Sequence, residues 1–437
     1  MPTVSPRRRR EIIDALRRGT VPQRGLDVMA VGLDRFRATL GDELSAVGDG
    51  GAVFKAVRGE YGAGKTFFAR WLTETAKQNG FATAEVQISE TETPLHKLET
   101  IYRRVTENLA TEATPPSAFR EVIDEWLRVL EEDAVAAGAS DLDSAVLAER
   151  TQALLEQRLS AVSRTAPAFA AALRAYHAAT IRGDVETADG LIAWLGGQPH
   201  VAAGVRRAAG IRGDLDHFGA FGFMQGLLAV LRDTDYRGLV LVLDEVETLQ
   251  RVRSDVREKS LNALRQLLDE VDAGRFPGLY VLITGTPAFF DGTQGVQRLA
   301  PLAARLSVDF SEDPRWDNPR APQIRLLGFD RAGLIQLGQR VRDIYATGSP
   351  AGDRIGALAG DNYLATLAYS VAGRLGGRVG IAPRVYLRKL VDILDKIEQF
   401  ADYVPADAAG VTIADGELTA DERAAAGHDM DAIHLDV

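Results

Sequence analysis

The sequence predicts an α/β fold, a parallel sheet flanked by helices, carrying a large helical insertion and ending in a C-terminal helical lid. Three observations carry that prediction. Two apolar runs of strand length, 239–243 and 279–283, lack polar alternation, as expected of strands buried on both faces. Around them lie segments whose apolar residues recur at helical spacing, such as Leu261, Leu264, Leu267 and Leu268. Finally, Gly59-Glu60-Tyr61-Gly62-Ala63-Gly64-Lys65-Thr66 satisfies the phosphate-binding loop pattern G-x-x-x-x-G-K-[ST] at every fixed position.

The elements follow in order. Val53, Phe54, Ala56 and Val57 form the first strand, and Phe67-Phe68-Ala69-Arg70-Trp71-Leu72 continues into a helix after the loop. In that context the glycine-rich backbone turns its N–H groups toward phosphate, with the positive end of the helix behind them. Lys65 reaches the β/γ-phosphates and Thr66 a magnesium ion. Together with Gly59, Glu60, Tyr61, Gly62, Ala63, Gly64 and Phe67 they form the expected cradle for a nucleoside triphosphate. Residues 81–90 alternate as a second strand, and a helix with Leu95, Leu98, Ile101 and Val105 follows. Thr114-Pro115-Pro116-Ser117 then breaks the chain. Beyond it, residues rich in Ala, Leu, Arg and Glu keep helical spacing, as at Val122, Trp126, Val129 and Leu130. This predicts a helical insertion over 113–215, between core parts at 1–112 and 216–326, and explains why Asp244 lies so far along the chain from Lys65. Phe221 to Leu231 and 256–271 are helices, and Pro322 to Leu326 is the final core strand. Asp330 caps a helix containing Leu334, Ile335 and Leu337, which opens the lid at 327–400.

The apolar strand 239–243 ends in Asp244-Glu245, and ligands bind outside the carboxyl ends of such strands. Asp244 is expected to hold magnesium, directly or through water, and Glu245 to polarise the water that attacks the γ-phosphate. Acidic residues also end strands merely by becoming solvated; the phosphate loop upstream gives this pair its catalytic reading. The strand 279–283 ends in Thr284-Gly285-Thr286-Pro287, where Thr286, with Thr284 second, is the candidate to sense the γ-phosphate. Turn formation alone explains the same residues equally well. Arg305, with Arg298 second, is the candidate finger into a neighbouring subunit's nucleotide, against the alternative of an ordinary surface arginine. In Gly380-Ile381-Ala382-Pro383-Arg384, proline suits the first turn of a helix, so Arg384 projects from its start toward the γ-phosphate.

The order of phosphate loop, Asp-Glu strand, Thr-tipped strand and Pro-Arg helix resembles a P-loop NTPase of the AAA+ class, initiator (ORC-like) type. More closely, Val57 to Phe67 resembles the BrxD-like ATP-binding proteins of BREX phage-defence systems. So do Pro94 to Leu98, Ile101-Tyr102-Arg103, Tyr236 to Val240, Leu243 to Glu247, and the N-terminal stretch Ile12 to Pro22 with Gly25-Leu26. The resemblance implies a magnesium-dependent ATPase with ATP and Mg2+ as cofactors. It also implies homo-oligomers and partners among other defence-system proteins, with DNA engaged through a complex or oligomer. It places Val21 to Leu33 near the adenine, although no residue there reads the base by itself. No clear winged-helix pattern follows the lid, which argues against autonomous sequence-specific DNA binding.

Composition agrees with an intracellular enzyme. Apolar residues make up 46% of 437, enough for a sheet core, and no stretch of about twenty apolar residues predicts a membrane span. Arg7 to Arg10 precede a polar amphipathic pattern rather than a signal peptide's apolar segment, so a cytoplasmic location is expected. The absence of cysteine removes disulfides and thiolate chemistry. The six histidines show no metal-ligand spacing; His96 stays unassigned, and His217 with Asp214 and Asp216 reads as a polar turn. The net charge of −10 argues against a surface that coats nucleic acid. Most of it lies in an acidic, flexible tail at 401–437, with nine acidic residues against Arg423. The four N-terminal arginines read as a solvated, disordered start, with a phosphate-gripping arm as the alternative. Function thus narrows to an ATPase that assembles, loads or remodels defence components on DNA. A nucleotide-dependent switch or scaffold with little turnover is the alternative. A small-molecule kinase is disfavoured by Glu245, which suits water activation.

Overall fold

A computed structural model of the chain describes residues 4–138, 144–374, 382–411 and 413. The expected Gly380-Ile381 and most of the acidic tail lie outside the described residues. Helices α1 (Pro6–Arg17) and α2 (Asp34–Gly48) precede strand β1 (Ala52–Arg58), helix α3 (Lys65–Gln78) and strand β2 (Ala82–Gln87). Seven helices follow: α4 (Leu98–Glu107), α5 (Phe119–Ala136), α6 (Ser144–Thr165), α7 (Pro167–Ile181), α8 (Val185–Leu195), α9 (Ala203–Ala208) and α10 (His217–Asp233). The chain then returns to the sheet with β3 (Leu239–Asp244), α11 (Ser254–Asp272), β4 (Leu279–Gly285), α12 (Pro287–Asp291), α13 (Ala300–Leu306) and β5 (Gln323–Arg325). It closes with α14 (Arg331–Ala346), α15 (Gly352–Leu358), α16 (Asp361–Arg374) and α17 (Ala382–Gln399).

The five strands form one parallel sheet in the order β2-β3-β4-β1-β5. Each of the five strands read from the sequence is present; β2 and β5 are shorter than read, and β1, β3 and β4 run one or two residues further. The two-residue period of the strands divides the core. Leu239, Leu241, Leu243, Val281 and Ile283 face one side, packed with α4, α10, α11 and the helices between β2 and β3. Val240, Val242, Tyr280 and Leu282 face the other, against Phe36 and Leu40 of α2 and Phe68, Trp71 and Leu72 of α3. The register places Gln87 opposite Asp244 and Arg58 opposite Gly285, so the carboxyl ends of β1 to β4 meet along one edge.

A separate apolar cluster joins α14 to α17, with Leu334, Leu337, Val341, Leu390 and Leu394 among its members. Ile12, Ile13 and Leu16 of α1 belong to it as well, so the first helix packs with the last ones rather than with the sheet. This corrects the reading of Arg7 to Arg10 as a disordered start or a free basic arm. Ser5 accepts the Arg8 N–H as N-cap, Pro6 suits the first turn, and the apolar stripe pays the ordering entropy by docking. Three of the four arginines are engaged: Arg7 with Glu11, Arg8 with Glu74 at 2.7 Å, and Arg9 with the Thr347 carbonyl. His217 heads α10, whose N-cap Asp216 accepts the Gly219 N–H, so the stretch read as a polar turn is the start of a helix. Among the described residues no helix is long and apolar enough to cross a membrane.

Candidate nucleotide site

The loop from Gly59 to Thr66 leaves the end of β1 and runs directly into α3. Gly62 and Gly64 adopt φ of +79° and +90°, the left-handed region that glycine enters without a Cβ penalty, and this curls the backbone around the head of the helix. The Gly59 N–H donates to the Gly285 carbonyl at 3.1 Å, tying the loop to the neighbouring strand. Lys65 is buried. Its Nζ donates to the Gly59 carbonyl at 2.9 Å and to that of Glu60 at 3.4 Å, and it lies 5.1 Å from the centre of the Tyr61 ring.

The acidic strand end stands beside this loop because β3 and β1 flank β4. The Thr66 hydroxyl donates to Asp244 Oδ2 at 3.1 Å, and the Thr284 hydroxyl donates to Asp244 Oδ1. A hydroxyl against a carboxylate is a hard-oxygen donor pair, the kind magnesium takes, so the residues present fit that ion. Glu245 adopts a left-handed backbone (φ +61°), unusual for a residue with a side chain and costing roughly 1–3 kcal/mol. Its N–H donates to Asp244 Oδ1 and Thr284 Oγ1, both at 3.2 Å, and its carboxylate accepts from Gln87 Nε2 at 2.9 Å.

Two residues beyond, Glu247 is 5% exposed and sits 3.7 Å from Lys65 Nζ, within ion-pair reach. Burial pushes its carboxyl above the usual range; Lys65 pulls the other way, and Glu245 and Asp244 add to the rise.

These groups line a cavity of about 590 Å³, within the range of small-molecule sites. Its apolar lining comes from two distant stretches. Val21, Val31 and Leu33 belong to the segment between α1 and α2, while Phe329 and Leu337 come from the start of α14 and the turn before it. Arg384, in the first turn of α17, lines the same cavity and lies against Gly19. Glu74 on α3 secures the first stretch: its carboxylate accepts the N–H groups of Gly25 and Leu26 at 2.6 and 2.7 Å, and Arg8.

Lys65, Thr66, Asp244, Glu245 and Arg384 therefore share one cavity, along with Tyr61, Gly62, Ala63, Gly64 and Phe67. Gly59 and Glu60 supply the carbonyls that hold Lys65. Of the two threonines at the tip of β4, the one that donates to Asp244, alongside Thr66, is Thr284 rather than Thr286. β4 ends at Gly285, so Thr286 already belongs to the turn, where its carbonyl accepts the Phe289 N–H ahead of α12. Arg305 stands outside the cavity, paired with Asp269 and Asp272 at 2.8 and 2.7 Å, and Arg298 donates to Ser254. His96 lies 3.4 Å from the Ser260 hydroxyl, away from the phosphate loop. Gln87, Glu247 and Glu74 escaped the sequence reading; the signal for the first was its place at the end of the strand neighbouring Asp244.

Residues 4–412 match the model of one protein family, described as BREX system ATP-binding protein BrxC/D. No curated protein matches the chain.

Proposed function

The chain belongs to the BREX system ATP-binding protein BrxC/D family, and from that premise we propose that it is an AAA+ ATPase. In this reading it binds and hydrolyses ATP to assemble, load or remodel phage-defence components on DNA. The single observation that carries the proposal is the convergence of Lys65, Thr66, Asp244 and Glu245 on one cavity that apolar side chains also line. The phosphates lie along Gly59 to Thr66, and the base lies among Val21, Val31, Leu33 and Phe329. Thr66 and Asp244 would hold magnesium, which when bound neutralises phosphate charge. Glu245 accepts a proton from the attacking water, and Lys65 balances charge on the β/γ-phosphates. Arg384 reaches the γ-phosphate from α17, and Arg305, leaving its aspartates, serves a neighbouring subunit. The same reading takes the protein as a cytoplasmic homo-oligomer whose division follows the core, insertion and lid boundaries read from the sequence.

One contact favours the second reading, a switch with little turnover: Gln87 holds the Glu245 carboxylate. Phosphate release with and without DNA separates the two. Lys65→Ala should weaken ATP binding at least tenfold, and Glu245→Gln should spare binding while lowering turnover about a hundredfold or more. DNA-stimulated hydrolysis lost in both variants supports the loader or remodeller. Tight binding with negligible turnover in every condition leaves the switch, and a phosphorylated acceptor in place of free phosphate would indicate a kinase.

A further inference from the structure

Glu247 is a buried carboxylate with an unusual absence of support. Neither of its oxygens has a hydrogen-bond partner on another residue, although the side chain is only 6% exposed and lines the cavity. A buried charge left without hydrogen bonds is costly, and such groups persist where something else is gained. The cation it faces is Lys65, at 3.7 Å. On the elements packed against this turn, Arg257 of α11 is spent on the carbonyls of Leu249, Gln250 and Val252, and Asp291 of α12 pairs with Arg58. Asp244 and Glu245, the other nearby charges, are negative and act against the Glu247 carboxylate.

Lys65 is held on the same side. Its Nζ contacts the carbonyls of Gly59 and Glu60, and no acidic side chain other than Glu247 pairs with it among the described residues. The ammonium that the phosphate loop offers to a triphosphate is therefore already claimed by a carboxylate three residues beyond Asp244.

Resting on the nucleotide-binding reading, we propose that Glu247 is a positioning residue acting through Lys65: it and the triphosphate compete for the same ammonium. Glu247 holds the lysine folded over its loop, so part of the affinity that the loop offers to phosphate is spent in displacing the lysine. The device sets nucleotide affinity and lets bound nucleotide leave. It makes no contribution to the proton transfer at Glu245.

The test is a double-mutant cycle read by titration of a fluorescent ATP analogue with magnesium. Glu247→Gln keeps the shape and removes the charge, and should tighten the wild-type Kd about tenfold, lowering KM with kcat changed less. In the Lys65→Ala background the same substitution should shift Kd by less than about twofold, because the competitor has lost its target. Equal tightening in both backgrounds would mean simple repulsion of phosphate, and weaker binding would mean that Glu247 supports the site directly; either overturns the proposal. Should Glu247→Gln not fold, Glu247→Asp draws the carboxylate back from Lys65 and should tighten binding in the same direction; an unchanged Kd counts against competition. Absence of nucleotide binding by the wild-type protein is a distinct result, since it removes the underlying reading before any variant is compared.

Discussion

Glu245 occupies a left-handed backbone position, its N–H shared by Asp244 and Thr284 and its carboxylate tethered by Gln87. A carboxylate that accepts a fixed hydrogen bond is both oriented and restrained. A hydrogen bond contributes about 0.5–1.5 kcal/mol net, so Gln87→Ala should raise the rate of phosphate release about threefold with little change in KM. A rate that falls instead would show that Gln87 orients Glu245 for attack rather than restraining it. At this scale the motif residues were legible because the chemistry demands them at fixed spacing: Lys65, Thr66, Asp244 and Glu245 announce themselves. Gln87 and Glu247 did not, and Thr284 stood only second to Thr286. Their roles depend on which strand lies next to which, and on a register that pairs Gln87 with Asp244.

Glu74 shows how one element positions another. It sits on α3, the helix that follows the phosphate loop, and accepts the N–H groups of Gly25 and Leu26, from the segment that lines the cavity, together with Arg8 of α1. Glu74→Ala orphans those donors and should destabilise the protein by about 3 kcal/mol in denaturant unfolding. It should also weaken nucleotide binding, as Val21 to Leu33 loosen; unchanged affinity would separate that segment from the base. In α7, His177 is buried with neither ring nitrogen hydrogen-bonded, and burial lowers its pKa, with Glu131 opposing. A depressed folded pKa means stability that is full above the unfolded value of about 6.5 and lost as pH falls through the folded one. Thermal melts from pH 7.5 to 5 should therefore show a fall in Tm that His177→Leu flattens. Strands and helices were readable from periodicity, yet the docking of α1 was not. A run of arginines reads as solvated until Ser5, Pro6 and the Ile12–Leu16 stripe are seen to fit against α14 and α17.

Across the whole molecule, the candidate site gathers residues from near position 20 to position 384, so ligand binding should be felt over that span. ATP at about a hundred times its Kd stabilises a folded protein by about 2.7 kcal/mol. Hydrogen exchange should slow together in the phosphate loop, in Val21 to Leu33 and in the first turn of α17. Protection confined to the loop would detach the C-terminal helices from the nucleotide. By itself the sequence determined the α/β character, the five strands, the phosphate-loop motif and the family. Those follow from local periodicity and from residue types that phosphate chemistry requires at fixed spacing. Only the tertiary structure decided that Thr284 rather than Thr286 touches Asp244, that Glu247 faces Lys65, and that the first helix packs with the last. These are contacts between residues far apart in the chain, set by sheet register and by the burial of apolar faces, and no local pattern encodes them.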